Sequence, residues 1–187
     1  MIKIKSEYKW SIAILSVIGL GVLIFKKIKK SMEYGTRKVW DSSSEKIINT
    51  LHPKVRDKAR EFLNRAEDAG IKIRVTSGYR TYKEQDALYA KGRTTSGAIV
   101  TKAKAGQSSH NFGTAMDVVR IENGKAVWNS GWEEIGKIGK SVGFDWGGEW
   151  VSFVDKPHFQ MNFGNTISQL RAKYDKGQIT DGYVNLP

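Results

Sequence analysis

Residues 106–124 read Gly-Gln-Ser-Ser-His-Asn-Phe-Gly-Thr-Ala-Met-Asp-Val-Val-Arg-Ile-Glu-Asn-Gly. Ala115, Asp117 and Val119 share one face of a strand, and Asn123-Gly124 is the two-residue pair that turns a strand back on itself. An antiparallel hairpin is therefore expected here. Upstream, Ile71, Ile73 and Val75 alternate as a second strand. Before them, Val55, Ala59, Phe62, Leu63, Ala66 and Ala69 recur at helical spacing between Pro53 and Gly70. Thr81 with Glu84 forms a capping box for a helix through Leu88 to Lys91, stopped by Gly92, and residues 93–107 form a long loop. Downstream, Trp132, Ile135, Ile138 and Val142 mark a helix ending at Gly143, and Phe159, Met161 and Phe163 alternate in a late strand. Ile167, Leu170 and Tyr174 mark a last helix. Helices and hairpins without a βαβ rhythm predict an α+β fold, a small antiparallel sheet with flanking helices.

The chain has 187 residues, 40% hydrophobic, 11% aromatic and 27% charged, with only 3 Pro. That composition excludes a disordered chain and a polytopic membrane protein. With 0 Cys there is no disulfide framework and no thiolate site, so a metal has to be held by His and carboxylate. Of the net charge of +12, +7 lies in residues 1–38, around the apolar run of residues 11–25 and the cluster Lys26, Lys27, Lys29 and Lys30. Such a distribution argues against nucleic-acid binding, which needs a concentrated basic face on the globule. It predicts instead a single N-terminal membrane helix, with residues 1–30 as an uncleaved anchor, 31–44 as a linker and 45–187 as the domain. The positive-inside rule would keep that domain in the cytoplasm, whereas the function argued below places it toward the envelope.

His52, His110 and His158 are the three histidines. His110 approaches a glycine turn and is followed seven residues later by Asp117; His158 stands at the entry of a strand behind Asp155 and Pro157. Two imidazoles and a carboxylate suffice for a catalytic metal site with one position left open, although an isolated histidine is more often an ordinary hydrogen-bonded side chain. His52, before Pro53 at a helix start, reads as a solvated or capping residue.

The pattern Ser108-x-His110-x-x-Gly113-x-Ala115-x-Asp117 resembles the signature of zinc peptidases that include VanY-type D-alanyl-D-alanine carboxypeptidases and L-alanyl-D-glutamate endopeptidases. Ser77-Gly78-Tyr79-Arg80 with Gln85 resembles a second segment of that family. Trp146-Gly147-Gly148-Glu149-Trp150 and Asp155-x-Pro157-His158-Phe159 resemble segments of its endopeptidase branch, found in phage endolysins and cell-wall hydrolases. The departure is Glu149, where the family more often has Asp.

The resemblance implies zinc held by His110, Asp117 and His158, with Asp155 as the catalytic carboxylate. Zinc lowers the pKa of a water from about 15.7 to about 7, which makes a nucleophile available at neutral pH. Arg80 is expected to stabilise the oxyanion or clamp a substrate carboxylate, while Ser108 and Gln85 are weaker candidates for substrate hydrogen bonds. Trp146 and Trp150 either wall the cleft or belong to the core. The implied activity is hydrolysis of the peptidoglycan stem peptide at the L-alanyl-D-glutamate bond. A D-alanyl-D-alanine carboxypeptidase and a non-catalytic wall-binding module are the alternatives.

Overall fold

The computed structural model describes the backbone of residues 6–187 and the side chains of residues 20–187. Six helices among them are α1 (Ser6–Thr36), α2 (Ser42–Ile48), α3 (Pro53–Asp68), α4 (Tyr82–Ala90), α5 (Trp132–Val142) and α6 (Ile167–Asp175). The main sheet is antiparallel, with β1 (Ile73–Ser77), β2 (Ala115–Glu122), β5 (His158–Gln160) and β4 (Asp145–Trp146) side by side and β3 (Lys125–Val127) on the hairpin end of β2. A two-stranded ribbon, β6 (Ile179–Thr180) and β7 (Tyr183–Val184), closes the chain. The expected α+β fold with a small antiparallel sheet and flanking helices is what forms.

Strand alternation divides the sheet into two chemically different faces. Val75, Met116, Val118 and Phe159 point into the main core, where they meet Val55, Phe62 and Leu63 of α3 and Ile135 of α5. Asp117 and His158 are direct partners across β2 and β5 and project from the opposite face. β1 has a bulge between Val75 and Ser77: Val75 pairs with Val118 on the core side, and Ser77 pairs with Asp117 on the other. An extra residue re-aims the strand end. The bulge is what lets β1 supply both the core and the face that carries Asp117. Phe112, Leu170 and Val184 form a second, smaller core that ties the turn before β2 to α6 and β7.

The late strand ends at Gln160 rather than at Phe163, whose φ is +51°. Met161 still donates to the Thr114 carbonyl at 2.8 Å and the Asn162 side chain accepts from Thr114 Oγ1 at 2.6 Å, so the chain stays beside the start of β2 until the positive φ of Phe163 turns it.

The expected N-terminal membrane helix, the membrane contact through residues 11–25 and the membrane-anchored localisation drawn from them are corrected here. Among the described residues no helix is long and apolar enough to cross a membrane. Over its described side chains α1 runs without a break into the lysine cluster Lys26–Lys30, and its last turns join the globule. Ser31 Oγ donates to Glu61 Oε2 at 2.7 Å, Tyr34 Oη to Asp68 Oδ2 at 2.6 Å, and Asn64 Nδ2 to the carbonyls of Tyr34 and Arg37 at 2.8 Å. Residues 31–44 thus hold the end of α1 and the start of α2. The side chains of residues 11–19, part of the expected anchor, lie outside the described residues.

Candidate metal centre and active site

Each of the three expected ligands is placed by a different local device. Asp117 is held in the middle of β2, and His158 opposite it at the first position of β5. His110 comes from a 3-10 turn, Ser109–Phe112, that Ser108 caps through its Oγ and that ends at Gly113 with φ +68°. A side chain at Gly113 would be strained by that φ, and its Cβ would lie 2.7 Å from the His52 backbone nitrogen. The turn delivers His110 to the face from which Asp117 and His158 project.

His110 Nε2 lies 3.3 Å and His158 Nδ1 3.2 Å from the same oxygen, Asp117 Oδ1. One ligand atom from each of the three residues falls within 4.8 Å of the others. The opposite ring nitrogens decide what faces the centre. His110 Nδ1 is 2.7 Å from the Gly78 carbonyl, and His158 Nε2 is 3.2 Å from Gln160 Oε1. A carbonyl and an amide oxygen only accept, so both of those nitrogens donate, and in the neutral rings His110 Nε2 and His158 Nδ1 present lone pairs to a carboxylate. Three acceptors converging on one point need a cation between them. The donor set therefore fits a divalent metal.

Without a metal between them, the same groups act as a charge pair in which the rings hold the proton. Burial alone would raise the Asp117 pKa, but the two imidazoles outweigh it and hold the carboxyl well below the usual carboxylate range. Burial opposes charge on His158, yet the Asp117 carboxylate prevails and pushes the ring's pKa up. Asp155 moves the other way: burial first, and the negative charge of Asp117 second, raise its pKa. A carboxyl that holds a proton more readily than usual is suited to moving protons. Its backbone is fixed by Asp155 N donating to the Gly147 carbonyl at 2.9 Å, and a Cβ at Gly147 would lie 2.5 Å from the Asp155 carbonyl oxygen, so only glycine allows this approach.

Arg80 donates from Nη1 to Gln85 Oε1 at 3.0 Å and from Nη2 to Ser77 Oγ at 2.9 Å, with Nη2 4.0 Å from Asp117 Oδ2. Arg80, Ser108, His110, Asp117, Asp155 and His158 all line one cleft of about 590 Å³. Gln85 is fully buried and stands behind Arg80, beyond the reach of a substrate. Trp150 lines the cleft, its ring 5.0 Å from that of His158, whereas Trp146 is in the core, stacked on Phe159 and donating from Nε1 to the Lys156 carbonyl. Glu149 pairs with Lys140 at the surface. His52 is buried rather than solvated; it caps α3 by accepting from Lys54 N at 3.1 Å and reaches the Val184 carbonyl at 3.0 Å.

Sequence reasoning missed the layer behind the ligands. Gln160 Oε1 accepts from Ser109 Oγ at 2.9 Å as well as from His158, and Asn162 Nδ2 donates to Ser109 Oγ at 3.1 Å. These groups set which ring nitrogen of His158 faces the centre. A signal existed in the two-residue step from His158 to Gln160, which puts both on one face of a strand.

The family model described as VanY, D-alanyl-D-alanine carboxypeptidase, matches residues 48–166. The peptidoglycan L-alanyl-D-glutamate endopeptidase CwlK of Bacillus subtilis (strain 168) is 41% identical over 126 residues, 62% of this chain and 75% of that protein. The L-alanyl-D-glutamate peptidase of Listeria phage A118 is 35% identical over 120 residues, and the match spans 62% of this chain but only 40% of the phage protein. Among solved structures, the Serratia marcescens L-Ala D-Glu endopeptidase ChiX shares the fold, with a TM-score of 0.52 at 23% identity over 68% of this chain and 92% of that one.

Proposed function

Because the chain belongs to the VanY D-alanyl-D-alanine carboxypeptidase family, we propose that it is a zinc peptidase that hydrolyses the peptidoglycan stem peptide at the L-alanyl-D-glutamate bond. The observation that carries this reading is the convergence of His110 Nε2 and His158 Nδ1 on one Asp117 oxygen, in a cleft that also holds Asp155. The choice of bond follows the two relatives named for L-alanyl-D-glutamate cleavage.

His110, Asp117 and His158 would hold the metal, which when bound would supply Lewis acidity that polarises a carbonyl and brings the pKa of a water toward about 7. Asp155, its pKa raised by burial and by Asp117, takes a proton from the attacking water and passes it to the leaving amine as the peptide C–N bond breaks. Arg80 keeps its guanidinium fixed through Gln85 and Ser77, and its remaining donors stabilise the charge that develops on the carbonyl oxygen. Trp150 shields one wall from water.

Digesting purified peptidoglycan and weighing the fragments tests the reading. L-alanine-terminated and D-glutamyl-started fragments are expected, and a strong chelator should abolish them. Release of D-alanine alone would make the protein a carboxypeptidase, and activity indifferent to chelation would overturn the metal mechanism.

A further inference from the structure

Two cations line the cleft, and they differ in their surroundings. Arg80 is largely buried and committed to Gln85, Ser77 and the neighbourhood of Asp117. Lys102 is exposed on the rim, with its ammonium 5.3 Å from the centre of the Phe153 ring. Among the described residues no carboxylate lies within ion-pair distance of Lys102. Among the described residues it faces an aromatic ring alone, which attracts a cation without neutralising it.

A lysine in a long exposed loop is ordinarily a poor recognition element, because its position is not fixed. Here the loop is fixed on both sides of the residue. The Thr101 carbonyl accepts from Arg93 Nη2 at 3.0 Å, and the Ala103 carbonyl accepts from Gln85 Nε2 at 2.8 Å. Gln85 is the same buried amide whose oxygen holds Arg80. One side chain thus sets the separation between the guanidinium beside the metal ligands and the backbone that carries the rim ammonium. Val100, Phe153, Trp150 and Leu88 line the same cleft as Lys102, and Phe153 is the one its ammonium faces.

This inference rests on the endopeptidase reading. A D-glutamyl residue whose amine is in the scissile bond and one of whose carboxyls carries the peptide onward has a second carboxyl free and anionic. The metal ligands and Asp155 offer that group no counter-charge, and Arg80 is occupied at the reacting carbonyl. We infer that Lys102 pairs with the free carboxylate of the D-glutamyl residue on the leaving side, and so selects substrates in which that carboxyl is ionised over those in which it is amidated. Gln85 is a positioning residue for both cations.

The test compares two synthetic peptides with an L-alanyl-D-glutamyl bond, identical except that the free carboxyl is left as the acid in one and converted to the amide in the other. For the parent protein, kcat/KM should favour the acid by about 10-fold, the scale of a charge-assisted contact. In Lys102→Met the ratio should fall to about 1 through a rise in KM for the acid, with kcat little changed. Lys102→Arg should keep most of the preference. A parent ratio near 1, or an undiminished ratio in Lys102→Met, would overturn the role of Lys102 while leaving the endopeptidase reading intact. A parent that cleaves neither peptide but trims D-alanine from a pentapeptide would overturn the endopeptidase reading itself, and this proposal with it. Should Lys102→Met fold poorly, Lys102→Gln takes its place, with the ratio again expected near 1 and Lys102→Arg as the charge-retaining comparison.

Discussion

Asp155 and His110 sit in one cleft but should fail in different ways when truncated. Asp155 is no member of the converging acceptor set, so Asp155→Ala should keep its metal and lose roughly 10²- to 10⁴-fold in turnover, the usual scale for an acid-base group. His110→Ala removes one of the three converging atoms and should lose the metal itself. Metal analysis alongside a peptide-cleavage assay separates the two; equal metal content and equal turnover in both variants would refute the assignment of roles. Ser108, read as a substrate contact, acts at this scale as the cap of the turn carrying His110, with its Oγ accepting from His110 N at 3.3 Å.

Among the elements, α2 shows how much a single carboxylate can do. Asp41 accepts from Ser43 Oγ, Ser44 Oγ and Ser44 N as the cap of that helix and pairs with Arg74 of β1 at 3.1 Å. Burial works against its charge, but these donors prevail and lower its pKa to about 2 from an ordinary 3.8. A carboxyl whose pKa is depressed on folding stabilises the fold above its unfolded pKa, and the contribution, about 2 kcal/mol, is lost as the pH falls through the folded value. Denaturant titrations between pH 4 and pH 2 should show this loss in the parent, and Asp41→Ala should be less stable at neutral pH with a flatter acid limb.

Helices whose ends carry their own signals were legible in the sequence. The Thr81–Glu84 capping box forms as expected, with Thr81 N donating to Glu84 at 2.8 Å and Glu84 N to Thr81 Oγ1 at 3.2 Å. By contrast, α2 begins Ser-Ser-Ser, which reads as turn; it is helical because Asp41 caps it and Ser44 Oγ accepts from Val75 N across the chain. The two residues of β4 are too few to show a period. The metal ligands were legible through motif resemblance, but the register that sets Asp117 against His158 joins positions 41 residues apart, a separation that local patterning does not encode. Gln160 acquires its role only by meeting Ser109, also from far along the chain.

At the scale of the whole molecule, the end of α1 belongs to the body of the protein. Ser31, Tyr34 and Arg37 supply partners to Glu61, Asn64 and Asp68 of α3, and Glu61 and Asn64 are buried. Removing residues 1–38 should therefore lower the melting temperature by several degrees, since each stranded polar group costs about 1–3 kcal/mol and 1 kcal/mol corresponds to roughly 2–4 °C at this size. A truncated protein that melts with the parent would show the docking to be energetically idle. The pairing of β2 with β5 has a kinetic corollary. Its ligands stand on opposite sides of one strand-to-strand seam, so any momentary parting of that seam pulls Asp117 away from His158. Departure of the metal and exposure of the seam's amides then become readings of a single clock, and the rate at which a scavenger strips the protein should rise and fall with deuterium uptake at Met116 and Phe159.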